Sequence, residues 1–238
     1  MPSLLQDLRL AWRLLLRRPG FTAIAAVTLA IGIGASTLIF SVVEAVLLTP
    51  PPFRDPDRLV VVWEFNVPRD RQTNVASPAN FLAWRDAQES FTDIGAFSMT
   101  VTGSITSAGH EPEQVSGQLA TSQLFSILGV DAQVGRTFTP EEDRPTNDVV
   151  LISDRLWQRR FDRAPEVVGR TMAVNGRVRT IVGVMAPSFS LLDQKVDMWL
   201  PAGFGEDARQ AGGRWLIPVA RLRPGVELAQ AQADMDRI

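Results

Sequence analysis

The side chains best suited to catalysis or metal binding are few in this sequence and lie far apart. His110 is the single histidine and falls in the turn Gly109–Pro112. We interpret it as a turn residue in contact with water; the alternative is a general base. The chain has no cysteine, so a transition-metal site would depend on carboxylates alone. We expect no catalytic residue, no metal ion and no cofactor.

An acidic run at Glu141, Glu142 and Asp143 is a candidate site for a hard cation such as Ca²⁺. It lacks the spaced ligands of a calcium-binding loop, so a solvated acidic turn is the favoured interpretation. No phosphate-binding G-x-x-x-x-G-K-[ST] motif occurs, and the one lysine, Lys195, follows a glutamine. No G-x-S-x-G motif of a serine hydrolase occurs either. These absences exclude a P-loop ATPase within the chain.

Composition narrows the class of protein further. The chain has 238 residues and a formal net charge of −2, which argues against bulk nucleic-acid binding. Without cysteine there are no disulfides, although this fixes no compartment. Fold and function must therefore be inferred from the layout of the chain.

The element that organises the chain is an uncharged apolar run, Phe21–Val43. About 23 such residues are enough for a helix to cross a bilayer. By the positive-inside rule, four preceding arginines place the N-terminus in the cytoplasm and the remainder outside. Those arginines are Arg9, Arg13, Arg17 and Arg18. A cleaved signal peptide and a twin-arginine signal are the alternatives, but the run is long and no small-x-small site follows it directly.

Residues 3–18 have helical amphipathic spacing, with Trp12 on the apolar face. Such a helix would lie in the cytoplasmic headgroup layer until Pro19 and Gly20 turn the chain into the membrane. The predicted membrane-interface residues are Arg9, Trp12, Arg13, Arg17 and Arg18. An equally good interpretation is a basic flank that only sets topology.

Small residues recur four apart inside the apolar run and predict a helix-packing face. They are Ala26, Ala30 and Gly34, together with Gly32 and Ser36. A single anchor surrounded by lipid has no need of such a face, so we expect other transmembrane helices to pack here. The alternative is a composition that is simply rich in alanine and glycine.

The chain beyond the run predicts an α+β domain, because strands and helices alternate without regular βαβ spacing. The predicted strands are 59–64, one or two within 94–107, 115–120, 149–152, 196–200 and 215–222, with a hairpin at 170–185. The predicted helices are 77–90, 122–128, 153–161 and 226–238. We expect loops at 66–76 and 203–213, the second mobile, and the tryptophans to serve as core or lobe contacts.

An ordered set of segments resembles one family, the MacB-like ABC transporter permeases, and within it the N-terminal part of the duplicated acidobacterial type. No single segment is diagnostic, but their order along nearly the whole chain is specific. The segments are LLLRRPGFTAIAAVTLAIGIGASTLIFSVVEAVLL, PDRLV, SPANFLAWRD, GRTFTPEED, DVVLISDRLW, VGRTMAVNGRVRTIVGVMAPSF and ARLRPGVELAQAQADM.

The resemblance implies a cytoplasmic segment (1–20), a transmembrane helix (21–48) and a two-lobed periplasmic core domain (49–238), with a β-rich lobe inserted in a porter-like lobe. It implies location in the bacterial inner membrane and no catalytic residues. Its partners would be a cytoplasmic ABC ATPase, the remaining permease helices or a second permease copy, and a periplasmic protein.

Three hypotheses follow for the function. The first is the N-terminal fragment of a permease that couples a partner ATPase to efflux, since the three further helices of the family are not in this sequence. The second is a membrane-anchored binding or scaffold module without transport activity. The third, an anchored hydrolase, requires a serine or carboxylate site that the sequence does not display.

Overall fold

The computed structural model describes residues 17–43, 53–66, 71–106, 111–192 and 194–238. The chain divides into two compact units, Met1–Pro51 and Pro52–Ile238. The predicted amphipathic helix up to Leu16 lies outside the described residues, as do Gly109 and His110 of the predicted turn.

The first unit contains a helix, α1 (Pro19–Val43), of 25 residues. Proline suits the first position of a helix, where its missing N–H costs nothing. The stretch Pro19–Ser41 has a mean hydropathy of 2.1 and is the one described helix long and apolar enough to cross a membrane. The hydroxyls of Thr28 and Thr37 donate hydrogen bonds to the carbonyls of Ile24 and Ile33 at 2.9 and 2.8 Å. The hydroxyl groups are thereby satisfied within the helix itself.

Among its described residues, the second unit contains twelve strands and four α-helices. The strands are β1 (Leu59–Val61), β2 (Glu64–Asn66), β3 (Arg71–Asn74), β4 (Phe91–Ser98), β5 (Val101–Thr106), β6 (Glu113–Ala120), β7 (Ala132–Gly135), β8 (Val149–Ser153), β9 (Thr171–Val174), β10 (Arg177–Met185), β11 (Met198–Pro201) and β12 (Leu216–Leu222). The helices are α2 (Pro78–Ala87), α3 (Ser122–Leu128), α4 (Asp154–Phe161) and α5 (Leu228–Asp236).

Ten strands form one sheet in the order β1-β12-β4-β6-β11-β8-β10-β9-β5, with β7 beside β10. Because β5 pairs with β6 as well as with β9, the strands from β6 to β5 close into a six-stranded ring. The strands β1, β12 and β4 extend from this ring as an open sheet. The predicted α+β class is confirmed, and the β-rich lobe is the ring.

Each lobe has its own apolar core. One cluster of buried side chains draws members from all six ring strands, which is the interior expected of a small closed barrel. A second cluster lies among α2, α5 and the open strands β4 and β12. A third, centred on Phe125 of α3 and Trp199 of β11, joins the two regions.

Local sequence signals account for several element boundaries. The Ser77 hydroxyl accepts from the Asn80 N–H at 3.2 Å, and the Ser153 hydroxyl accepts from the Leu156 N–H at 3.1 Å. Both are helix N-caps at the predicted residues. Gly129 ends α3 at φ +69°, and Asn175-Gly176 joins β9 to β10 with φ of 51° and 80°, as a two-residue hairpin turn requires.

Two segments differ from the sequence expectation. Residues 66–76 were expected to be a loop, but β3 lies within them and pairs with β2. Residues 203–213 contain a short helix, Glu206–Gln210. Phe204 lies 5.5 Å from the ring of Phe81 and 6.4 Å from that of Trp215, so an aromatic contact holds a segment whose glycines had favoured a loop.

Candidate functional site

The candidate site is an open groove between the first strands of the second unit and its last helix. Its volume is about 480 Å³, and it lies against Val60–Trp63 and Phe65 on one side and against α5 on the other. Apolar side chains are exposed along it: Trp63 is 41 %, Phe65 55 % and Leu228 63 % exposed. Grouped exposed apolar side chains of this kind mark contact surfaces rather than solvated faces.

Sequence reasoning missed this groove. The tryptophans were predicted to be core or lobe contacts, which is correct for Trp199, at 1 % exposed, and wrong for Trp63. The available signal was alternation: Val61, Trp63 and Phe65 are two apart and share one side of an extended chain. The helical half of the groove is contributed more than 160 residues later, so no local pattern indicated it.

The start of the second unit is fixed to its core by Arg221 of β12, which is 4 % exposed. Its guanidinium donates to the carbonyls of Ile127 (2.8 Å), Asp55 (3.1 Å) and Arg54. Burial, with the nearby Arg54 and Arg58 cations, lowers the pKa of Arg221 below its usual value. A buried cation is tolerated when its donors are used in this way.

Two further contacts fix the same segment. Arg58 donates from Nε and Nη2 to the Leu222 carbonyl at 3.0 and 2.5 Å. The Arg54 N–H donates to the Leu128 carbonyl at 3.0 Å. The entry segment, defined as residues 53–61, is therefore bonded to β12 and to the end of α3.

Asp234 fixes the last helix. Its carboxylate accepts the backbone N–H groups of Glu89 (2.8 Å) and Ser90 (3.0 Å), which lie between α2 and β4, and a hydrogen bond from Nη2 of Arg237 at 2.9 Å. These bonds favour the charged form and lower the pKa of Asp234 to about 2. The α5 wall of the groove is thus held on the domain by this carboxylate as well as by the apolar packing of Ala231.

We expect the stabilisation of the fold by Asp234 to be lost at acid pH. Its folded pKa of about 2 lies below the ordinary 3.8, so the contribution is complete above pH 4 and is lost as the pH falls from 4 towards 2. The urea midpoint of the full chain should therefore fall more steeply over this range than that of Asp234→Asn. Parallel pH curves for the two proteins would contradict the assignment.

Two members of the acidic run, Glu142 and Asp143, make contacts within the domain. Glu142 binds Nη2 of Arg136 at 2.7 Å and accepts the Thr139 N–H at 2.9 Å, and the bond from Arg136 lowers the pKa of Glu142. Asp143 accepts the N–H and hydroxyl of Ser122. Across the described residues, no group of histidine or carboxylate ligands is placed to hold a metal ion.

The predicted packing residues Ala26, Ala30, Gly32, Gly34 and Ser36 are all exposed on α1. Arg17 and Arg18 are exposed just before it, whereas Arg9, Trp12 and Arg13 lie outside the described residues. These residues belong to the first unit and none lines the groove. Their roles in helix packing and at the membrane interface stay predictions.

Comparison with known proteins identifies the family. The model of the MacB-like periplasmic core domain matches residues 22–238. The macrolide export ATP-binding/permease protein MacB of Shigella dysenteriae is 25 % identical over 121 residues, covering 50 % of this chain and 18 % of that protein. The protein of the same name from Escherichia coli K12 is 23 % identical over 121 residues, which again cover 50 % of this chain and 18 % of that protein. The match therefore spans under a fifth of these relatives.

Solved structures share the fold. The periplasmic region of MacB from Actinobacillus actinomycetemcomitans superposes with a TM-score of 0.56 at 16 % identity, covering 75 % of this chain and 79 % of that one. A domain assigned to a permease of Porphyromonas gingivalis gives a TM-score of 0.58 at 20 % identity, with 78 % and 85 % covered. Together with the family match over residues 22–238, these findings show that the chain belongs to the family of MacB-like periplasmic core domains.

Proposed function

We propose that the chain is the anchor and periplasmic domain of an ABC permease subunit. It couples the ATP-driven motion of a partner ATPase to the periplasmic domain, for efflux or export across the cell envelope. In this proposal residues 1–20 are cytoplasmic, 21–48 span the inner membrane and 49–238 form the periplasmic domain.

The observation that carries the proposal is the bonding of the entry segment. A loose linker would absorb a displacement of the membrane helix, because flexible chain transmits little force. Here Arg221 and Arg58 bond residues 54, 55 and 58 to β12 and α3. A displacement that reaches Phe53 is therefore passed directly to the core of the domain.

The partners follow from the family and from the exposed surfaces. The named relatives combine ATP-binding and permease functions in macrolide export. We propose that a cytoplasmic ABC ATPase drives this chain together with further permease helices or a second permease copy. A periplasmic protein would complete the export path across the cell envelope. The lipid bilayer surrounds α1, and no nucleic acid is involved.

Co-purification tests the proposal. The gene is read past the codon for Ile238 in its native locus, and the chain is expressed with and without the coding sequence that follows. We expect three further apolar spans, and recovery of the ATPase encoded nearby only with the extended form. A stop codon at this point, with the short protein stable in the membrane and bound to an envelope protein, would replace the proposal with the anchored scaffold module.

The packing face of α1 gives a second prediction. In the extended permease, Gly34→Leu should lower the yield of assembled complex several-fold, because the added side chain excludes a neighbouring backbone. Ala35→Leu adds one carbon less, about 100° around the helix, and should assemble normally. Equal yields of assembled complex for the two variants in native gel electrophoresis would show that Gly34 does not lie in a helix interface.

A further inference from the structure

The groove lies along an open edge of the sheet. Among the described strands, β1 stands at the end of the order β1-β12-β4 and pairs with β12 alone. The N–H of Val62, directly after β1, donates to the Pro218 carbonyl of β12 at 3.0 Å. Backbone groups alternate in direction along an antiparallel strand, so the N–H and C=O of Val61 point away from β12. The free side of β1 therefore offers hydrogen-bonding groups to a further strand.

The sequence of this edge lacks the usual protection against pairing. Edge strands commonly carry a charge, a proline or a bulge that discourages another strand from adding to the sheet. Residues 59–63 are LVVVW, with no charge and no proline, and the pairing of β1 with β12 has no shift in register. The composition of β1 is that of a strand with a neighbour on each side.

The connections within the open sheet indicate what lies at this edge. The chain passes from β1 through α2 to β4, and β4 is parallel to β1 with β12 between them, because β12 is antiparallel to both. From β12 the chain enters α5, and α2 and α5 pack in the same apolar cluster on one face of the sheet. The pair β12–α5 thus repeats the course of β1–α2.

The repeat assigns a position to a fourth strand. In the split βαβ arrangement, two strand–helix–strand units interleave in one sheet. The first unit passes over β12 to reach β4. A second unit with the same right-handed course passes from β12 over β1, and its last strand lies at the free edge of β1, where the groove is found.

We propose that the groove is the seat of a strand of this same polypeptide, formed by residues that follow Ile238, which pairs antiparallel with β1. The inference rests on the proposed function, in which the polypeptide continues into further spans. Alternate side chains of the strand would cover Val60 and Val62 beside α5 on one face and Val61 and Trp63 on the other. The helix α5 ends at Asp236, which itself lines the groove, so a short connection reaches the edge.

The covering strand brings the polypeptide back to the entry segment. Because it runs antiparallel to β1, it ends beside Leu59, where β1 begins. The domain would then be connected to the membrane through two neighbouring strands of one sheet. A displacement of the helices on either side would act on the same edge of the core.

Hydrogen exchange at residues 59–63 tests the proposal. It is measured by mass spectrometry in nanodiscs, on the 238-residue chain and on the extended form read from the native gene. We expect exchange to be about tenfold slower in the extended form, because the N–H of Val61 gains a partner. Equal rates in the two forms would overturn the inference. Protection already present in the short chain, and lost on dilution, would also overturn it and assign the edge to a second copy.

Recovery of the ATPase from the same preparations separates this inference from the proposed function. Equal exchange rates with the ATPase bound to the extended form would overturn the covering strand alone. Slower exchange in an extended form that recovers no ATPase would support the covering strand and count against coupling. A stop codon directly after Ile238 would overturn both.

Variants of the edge locate the strand. Val61→Pro removes an N–H that points away from β12, which an edge tolerates, so the short chain should keep the parent urea midpoint. In the extended form it should make exchange at residues 59–63 several-fold faster. Val61→Lys keeps the N–H but sets a charge against the covering strand, and should do the same if Val61→Pro fails to fold.

Val60→Pro is the matched control, because the N–H of Val60 points towards β12. It should lower the urea midpoint of the short and the extended forms alike. Parent exchange rates at residues 59–63 in the extended forms of both Val61→Pro and Val61→Lys would show that no strand covers this edge.

Discussion

Gly95→Val should destabilise the second unit by about 3 kcal/mol. Gly95 lies in β4 where α3 crosses, and a Cβ at this position would be 2.7 Å from both Cα and N of Leu124. Backbone atoms cannot rotate away, so α3 must move off the sheet and open the core around Phe125. Urea unfolding of the full chain, followed by tryptophan fluorescence, measures the loss.

Gly213→Val is the matched control for Gly95→Val. A Cβ on Gly213 meets nothing within 4 Å, and its φ is not in the left-handed region. This control should unfold within about 0.5 kcal/mol of the parent. Equal destabilisation by the two variants would mean that replacing any glycine by valine is destabilising. The close crossing of α3 over β4 would then not be the cause.

Arg221→Met should cost about 3 kcal/mol and should free the entry segment. Methionine preserves much of the side-chain volume but leaves the carbonyls of Arg54, Asp55 and Ile127 without their donor. The amide of Arg54, bonded to Leu128 at 3.0 Å, should then exchange with deuterium much faster. Exchange measured by mass spectrometry at residues 53–61 detects this change.

Arg170→Met removes an exposed arginine that does not line the groove and is the control. It should alter neither stability nor exchange in the entry segment. If Arg221→Met destabilised the domain while exchange at residues 53–61 stayed at the parent rate, Arg221 would support only the core. The proposed mechanical connection through it would then be wrong.

The sequence predicted the parts of the fold whose causes are local. Ser77 and Ser153 cap helices through their own hydroxyls, and Asn175-Gly176 forms a turn that few other dipeptides adopt. These features depend on neighbours a few residues away, so they can be read without the rest of the chain.

Closure of the ring could not be predicted in the same way. It depends on β5 pairing with both β6 and β9, through Gly103 opposite Val115 and Ile105 opposite Val174. The last pair joins residues far apart in sequence, and nothing in the sequence of either strand identifies the strand that it pairs with. The strand β7 was missed for a related reason, since its four residues pair only with the last residues of β10, Gly183–Met185.

The groove was also beyond local patterns. The groove combines a strand near residue 60 with a helix near residue 230, and the acidic run gave no sign that Asp143 would face Ser122. The family resemblance predicted the domain type, because it used the order of many segments at once. It carried no information on which surfaces stay exposed.

The central claim is that the second unit lies outside the inner membrane while the N-terminus stays in the cytoplasm. The chain has no cysteine, so single cysteines can be introduced at Ser3 and at the exposed Ser126. Spheroplasts are treated with a membrane-impermeant maleimide before and after lysis. We predict that Ser126→Cys is labelled in intact spheroplasts and that Ser3→Cys is labelled only after lysis; labelling of Ser3→Cys before lysis, or protection of Ser126→Cys until lysis, would contradict the account.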